Sequence, residues 1–266
     1  MADPFQDVDG GGSGFVSAVV TALENRASED LIEPVIQQYL DDLDWADGSI
    51  HIEIGAGSGA IARRMAVKSR TTTVIGIDPF EGLINKAKEL ATNITNLSFE
   101  VGEGESLRFE NNTIDSIVMH TVLSHVPEPK ALLKEAIRVL KSGGKLVVSD
   151  ADFMKSSLGN FDGDPLNACA EYFVRNFVTQ PFLMSRVRED AAAVGFEILD
   201  FRIASRTITN ADGGLVWIAM STNQMVEKGL ISDDLAKALV EEYKRRRDSE
   251  TLYAHQPFGT LVASKR

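Results

Sequence analysis

Two spacings of apolar residues alternate through the middle of this 266-residue chain. Short runs rich in apolar and β-branched residues fall at Ile50 to Ile54, Val74 to Ile77, Leu97 to Val101 and Ile114 to Met119, and read as strands. Helical spacing separates them, from Gly59 and again over Phe80 to Ala91. A further helix over Pro129 to Leu140 carries Leu132, Leu133, Ala136, Ile137 and Leu140 at core spacing. It stops before Gly143-Gly144 and feeds a strand over Lys145 to Val148. Strands that alternate with helices predict an α/β fold, a mostly parallel sheet covered on both faces.

Outside that region the pattern changes. After a start expected to be mobile, Gly14 to Leu23 and Leu31 to Leu43 read as amphipathic helices, the second capped by Ser28 with Glu29 and Asp30 in its first turn. Beyond Asp150 come a loop over Asp152 to Pro165, helices over Leu166 to Phe177 and Met184 to Ala193, and a strand over Phe196 to Ile203. Helices over Leu215 to Lys228 and Leu235 to Arg247 precede a last strand over Phe258 to Ala263. The expected organisation is a single domain over 1–266: an N-terminal helical cover (1–45), a cofactor-binding core (46–150), and the remaining strands with helical insertions (151–266). Those insertions are long enough to fold over the carboxyl end of the sheet, where open α/β sheets bind ligands, and are the candidate substrate lid.

The formal net charge of -12 repels phosphate backbones and anionic lipid, so neither nucleic acid nor a membrane surface is an expected partner. The one dense basic run, Lys244-Arg245-Arg246-Arg247, reads as a solvated helix face. Cys169 is the sole cysteine, which rules out an internal disulfide and favours a reducing compartment. No apolar run approaches the roughly 18 residues of a membrane span, and Met1 to Gly12 is acidic and glycine-rich, so a cytoplasmic location is expected. No cluster has metal-ligand spacing.

Chemistry concentrates in Ile52-Glu53-Ile54-Gly55-Ala56-Gly57-Ser58-Gly59, followed by Val74-Ile75-Gly76-Ile77-Asp78. A strand that runs into alternating glycines lets the backbone approach a ligand closely, because glycine has no Cβ. Asp78 ends the next strand, where a carboxylate can accept hydrogen bonds from two ribose hydroxyls. The glycine loop alone also satisfies a dinucleotide pattern, and an NAD-dependent oxidoreductase stays open on that ground; a P-loop does not, since no Gly-Lys-Ser or Gly-Lys-Thr follows.

The rest of the register separates these readings. Glu53 precedes the first glycine by two residues, Gly102-Glu103-Gly104-Glu105-Ser106-Leu107 follows the third strand, Asp115 starts the fourth, and Leu140-Lys141-Ser142-Gly143-Gly144 precedes the fifth. From about Ile50 to Asp150 the chain closely resembles the class I S-adenosylmethionine-dependent methyltransferases, in particular the small-molecule branch typified by ubiquinone and menaquinone biosynthesis. The resemblance implies a Rossmann-like sheet of seven strands, S-adenosyl-L-methionine as cofactor, S-adenosyl-L-homocysteine as product and a small, apolar or aromatic methyl acceptor. It also implies roles. Glu53 would orient the methionine portion beside Gly55, Ala56 and Gly57; Asp78 would take the ribose hydroxyls; Pro79 would pack on adenine. Glu103 and the Gly104 amide would sit at the adenine edge, and His120 would approach the methionine end through its backbone. The chain departs from the family in having Glu103 where aspartate is usual and Arg108 where proline is common.

Methyl transfer is an in-line displacement, so a base is needed only where the acceptor must lose a proton. His125, after the fourth strand, is the candidate catalytic base, against the alternatives of local packing or substrate binding. His51, inside the first strand, reads as structural, and His255 as a lid or surface residue. Asp150 and Asp152 would either face the acceptor or cap a loop. Phe15, Tyr172, Phe173, Phe177 and Trp217 read mostly as core, with some available for an apolar acceptor cavity. A homodimer is a possible assembly. The competing function is a protein of the same fold that binds the cofactor without methylating, as a pericyclic or isomerising catalyst or a regulator.

Overall fold

The computed structural model describes residues 3–208 and 213–266. Single 3-10 turns at Pro4–Gln6 and Asp9–Gly11 lead into α1 (Gly12–Ala27) and α2 (Glu33–Asp41). The alternating region then runs β1 (Ile50–Ile54), α3 (Ala60–Lys68), β2 (Thr73–Asp78), α4 (Glu81–Leu90), β3 (Leu97–Val101), β4 (Ile114–His120), α5 (Pro129–Val139) and β5 (Leu140–Ala151). After it come α6 (Pro165–Phe177), α7 (Leu183–Val194), β6 (Phe196–Ala204), β7 (Thr207–Ile208), α8 (Gly213–Glu227), α9 (Asp233–Asp248), β8 (Ala254–His255) and β9 (Phe258–Lys265).

Seven strands form the main sheet in the order β3-β2-β1-β4-β5-β9-β6, while β7 and β8 pair separately. The first five are parallel, and β9 runs antiparallel to both its neighbours. The chain moves outward from β1 to β2 and β3, then returns to β4 on the other side, so the connections after β1 and β4 leave in opposite directions and open a crevice at the carboxyl ends of these strands. Each sheet face buries its own apolar layer. Met65, Val118 and Val147 lie on one face, and Ile52, Ile117 and Leu133 on the other.

The central elements fall where the apolar spacing puts them, and the differences lie at the edges. Ser28 caps the end of α1 rather than the start of α2, its amide donating to the Glu24 and Asn25 carbonyls; α1 is longer than its pattern suggests, and α2 begins at Glu33-Pro34, where proline's fixed φ suits a first turn. The Gly143-Gly144 pair forms a kink inside β5, with Gly143 at φ +78° and a break in the β4–β5 register. The expected mobile start is instead folded down from residue 3: Val8 is buried against Val16, Val19 and Leu83. The basic run is only partly a solvated face. Lys244 and Arg245 pair along the helix with Glu241 and Glu242, but Arg246 is buried against Asp164 at 2.5 Å.

Candidate functional site

The turn after β1 is fixed by β2. The Gly55 and Ala56 amides both donate to the Ile77 carbonyl, at 2.8 and 3.0 Å, and the Gly57 amide donates to Asp78 Oδ2 at 2.8 Å. Gly55 takes φ +70°, and a Cβ there would lie 2.4 Å from Val122, so both conformation and space demand glycine. Glu53 Oε2 accepts from the Ala62 amide in the first turn of α3 at 2.7 Å, placing its carboxyl at that helix's positive end.

A crevice opens above this turn. Of the residues expected to hold a cofactor, Glu53, Gly55, Ala56, Gly57, Asp78, Pro79 and His120 line it, and so does His125. Glu103 and Gly104 do not. Glu103 is exposed beyond β3, near enough to Asp78 for its charge to disfavour ionisation there, and Gly104 abuts Ile54 and Leu132. The roof is N-terminal: Phe5, Val8, Val19, Leu23, Arg26 and Ala27 close the crevice, and no residue of α6 to α9 lines it. The late helices, expected as a lid, instead wall the adjoining region. Phe173 and Trp217 stack at 5.2 Å, Trp217 meets Phe153 at 6.0 Å, and Phe153 stands edge-on to His125 at 6.0 Å.

Burial sets the charge states. It pushes the Glu53 carboxyl well above the usual carboxylate range, with the nearby Asp78 adding to the rise. It raises Asp78 to about 6 despite the Phe80 and Gly57 amides that favour its charge. His120, the last residue of β4, is drawn down to about 3 by burial and then by the Arg26 charge, so its ring is neutral. Its Nδ1 shares a hydrogen bond with the Tyr39 hydroxyl at 3.2 Å, and its side chain, not only its backbone, faces the crevice. His120 Nε2 and Ser58 Oγ are buried without a hydrogen-bond partner, and both residues line the crevice. Buried polar atoms left unpaired cost free energy, so the cavity is built for a polar ligand.

The other candidates sort cleanly. His51 sits between Ser49 Oγ and Ser116 Oγ at 2.7 and 2.6 Å, packed on Trp45, and burial lowers it to about 4: a structural histidine. His255 bonds Ser205 away from the crevice. Asp150 caps a loop, accepting from the Ser124 amide and hydroxyl. Asp152 heads the 3-10 turn Phe153–Lys155 and is absent from the crevice wall. Asp3, Arg26 and Thr121 belong to the site but to no motif. An arginine in a helix's last turn ordinarily reads as a partner of the helix dipole, and nothing in the sequence marks Asp3.

Residues 52–148 match the family model described as a methyltransferase domain. The turn, the switch-point crevice and the seven-strand order agree with that match. Residues 52–148 are a methyltransferase domain, and the fold around them is that of the class I S-adenosylmethionine-dependent methyltransferases. Over 120 residues it is 30% identical to a ubiquinone biosynthesis O-methyltransferase of Coxiella burnetii, a match covering 45% of this chain and 50% of that protein. The chain spans about half the length of the curated relatives it matches. Among solved structures, phosphoethanolamine N-methyltransferase 2 of Haemonchus contortus, in complex with S-adenosylhomocysteine, superposes with a TM-score of 0.60 at 18% identity over 98% of this chain and 59% of that one. The [4+2]-cyclase SpnF superposes at 0.55, also at 18% identity, over 88% and 81%. These likenesses are of fold. Among the described residues of this methyltransferase domain and its flanks, no acidic, histidine or cysteine cluster could hold a metal, and no helix is long and apolar enough to cross a membrane.

Proposed function

We propose that the protein transfers a methyl group from S-adenosylmethionine to a small apolar or aromatic acceptor. The observation that carries this reading is the Gly55–Gly57 turn tied to Asp78 beneath a crevice that holds unpaired polar atoms. When bound, the cofactor supplies an activated methyl group; the protein's task is alignment and exclusion of water.

Each Asp78 oxygen already accepts one amide, from Phe80 or Gly57, and keeps a lone pair for a ribose hydroxyl. Pro79 and Phe80 offer an apolar face for adenine, and Glu53 a carboxyl for the cationic amino-acid end. Glu103, exposed and absent from the crevice wall, is not proposed as an adenine contact. His125 is proposed as the base. Asp3 engages Nδ1 at 2.9 Å, which leaves Nε2 to take a proton from an acidic acceptor. The Phe153, Trp217 and Phe173 rings beside it suit an apolar or aromatic acceptor.

Incubation with S-adenosylmethionine and a panel of phenols, enols and carbon acids, read by mass spectrometry, tests the proposal through the gain of one methylene. Saturable cofactor binding with no methylated product across the panel would turn the reading toward non-methylating catalysis; one of the structural neighbours is named a [4+2]-cyclase.

A further inference from the structure

Among the described residues, several arginines lie wholly or partly buried between the N-terminal cover, the core and the late elements, and most of them meet a carboxylate. Arg63 pairs with Glu24, Arg64 with Glu33, Arg206 with Glu29 and Arg246 with Asp164, at 2.5 to 2.7 Å. Arg26 is the exception among them. From the last turn of α1 it reaches into the crevice and donates from Nη2 to Thr121 Oγ1 at 2.7 Å. The acidic groups near enough to be felt are engaged elsewhere. Glu29 holds Arg206 with both oxygens, and Asp150 is taken by Ser124 and the Ala151 amide.

A guanidinium presents five donors in a planar fork that matches a carboxylate, and burying one without a counter-ion is costly. Its surroundings point the same way. His120 Nε2 is buried and unpartnered on the same wall. Thr121 holds its hydroxyl against Arg26 from φ 54°, an unfavourable conformation for a β-branched residue, with its amide fixed to the Ser149 carbonyl at 2.7 Å. The Glu53 carboxyl faces the same crevice, so a cationic fork and a hydrogen-bonding carboxyl line one cavity, suited to the two ends of a zwitterion.

We infer that Arg26 is the carboxylate-binding group of the crevice, taking the α-carboxylate at the amino-acid end of the cofactor, with Thr121 as the residue that positions it. The inference rests on the cofactor reading above. Arg26 lies outside the residues that match the methyltransferase family model, so the N-terminal cover supplies part of the binding site rather than a lid alone.

Calorimetry with two ligands tests it: S-adenosylhomocysteine, and 5′-methylthioadenosine, which keeps adenosine and a thioether but lacks the amino-acid end. The unmodified protein should bind the first much more tightly. Arg26→Gln should weaken S-adenosylhomocysteine by roughly tenfold or more, as loss of a charged hydrogen bond implies, while leaving methylthioadenosine within about twofold. The unchanged second affinity shows that the adenosine site is still folded. Thr121→Val, which keeps the shape and removes the hydroxyl, should reduce the discrimination in the same direction by a smaller factor, and serves if Arg26→Gln does not fold. Equal loss of both ligands would make Arg26 structural and overturn the inference. So would full retention of the discrimination, which would leave the guanidinium facing an acidic acceptor instead. Failure of the unmodified protein to bind either ligand would overturn the cofactor reading itself, a result distinct from the other two.

Discussion

Asp3 and His125, 122 positions apart in sequence, share a 2.9 Å hydrogen bond at the mouth of the crevice. The same Asp3 Oδ2 accepts from the Thr179 amide and hydroxyl, and Oδ1 accepts from the Phe5 amide, so one carboxylate ties the start of the chain to the loop after β4 and the loop before α7. Burial alone would raise its pKa. The His125 bond and charge, with the Phe5 and Thr179 donors, outweigh that and hold it below the usual 3.8.

Asp3→Asn keeps the shape and removes the charge. It should destabilise the fold at neutral pH by about 1–3 kcal/mol, a fall of several degrees in melting temperature. The sign with pH follows from the lowered folded-state pKa. The contribution is complete above the unfolded value and disappears as pH falls through the folded one, so the two proteins should converge below about pH 3.8. Thermal unfolding of both across that range checks it. A difference that persisted in acid would assign the effect to hydrogen-bond geometry rather than charge.

Asp78 is shifted the opposite way from Asp3, and the consequence is seen in binding. Burial raises it to about 6, and a protonated carboxyl loses acceptor capacity for ribose hydroxyls. Binding therefore favours the ionised form, and S-adenosylhomocysteine should bind more weakly at pH 5 than at pH 7, by up to roughly tenfold from the ionised fraction alone. Asp78→Asn should weaken binding at both values and abolish that part of the slope. Calorimetry on the two proteins separates this carboxyl from Glu53, which burial also raises.

The central sheet was legible because strands buried on both faces must be apolar and short, and the helices between them must carry an apolar stripe. Ile52, Ile117 and Val147 obey that constraint wherever the chain goes next. The turn after β1 was legible for a related reason: glycines at positive φ and a strand-end carboxylate are local requirements. What escaped was set by distance. Asp3 is an ordinary acidic residue until His125 and Thr179 are brought to it. Ser28 satisfies helix amides or follows a helix end equally well as sequence, and only the length of α1 decides. The exposure of Glu103 depends on the path of the loop after β3, which its residue type does not specify.

Gly55→Ala tests how strictly the turn is constrained. An L-residue at φ +70° costs roughly 1–2 kcal/mol, and the added methyl would meet Val122 Cγ2 at 2.4 Å. The expected outcome is a loss of stability by thermal unfolding together with weakened S-adenosylhomocysteine binding, because the turn that carries the ligand must shift. Gly48→Ala has a similar positive φ, +77°, with nothing within 4 Å of the added carbon. It should cost the conformational part alone, so the difference between the two variants measures the clash with Val122.

The Asp164–Arg246 pair is where the basic run departs most from a solvated face. Asp164 has a fully buried side chain, caps α6 through the Leu166 amide, and meets Arg246 from α9 at 2.5 Å. Burial alone would raise its pKa, but the Arg246 bond and the Asn160 and Leu166 amides hold it down, so it stays charged. Arg246→Met leaves that charge buried without its cation, which should cost about 3–5 kcal/mol. Asp164→Asn with Arg246→Met removes both charges and should recover part of the loss, because the unpaired carboxylate rather than the missing bridge carries most of the penalty. Urea unfolding of the single and double variants reads this directly. If the double variant were as unstable as the sum of its parts, the two side chains would be acting independently, with Asp164 serving α6 as a cap and Arg246 serving α9 through Glu242.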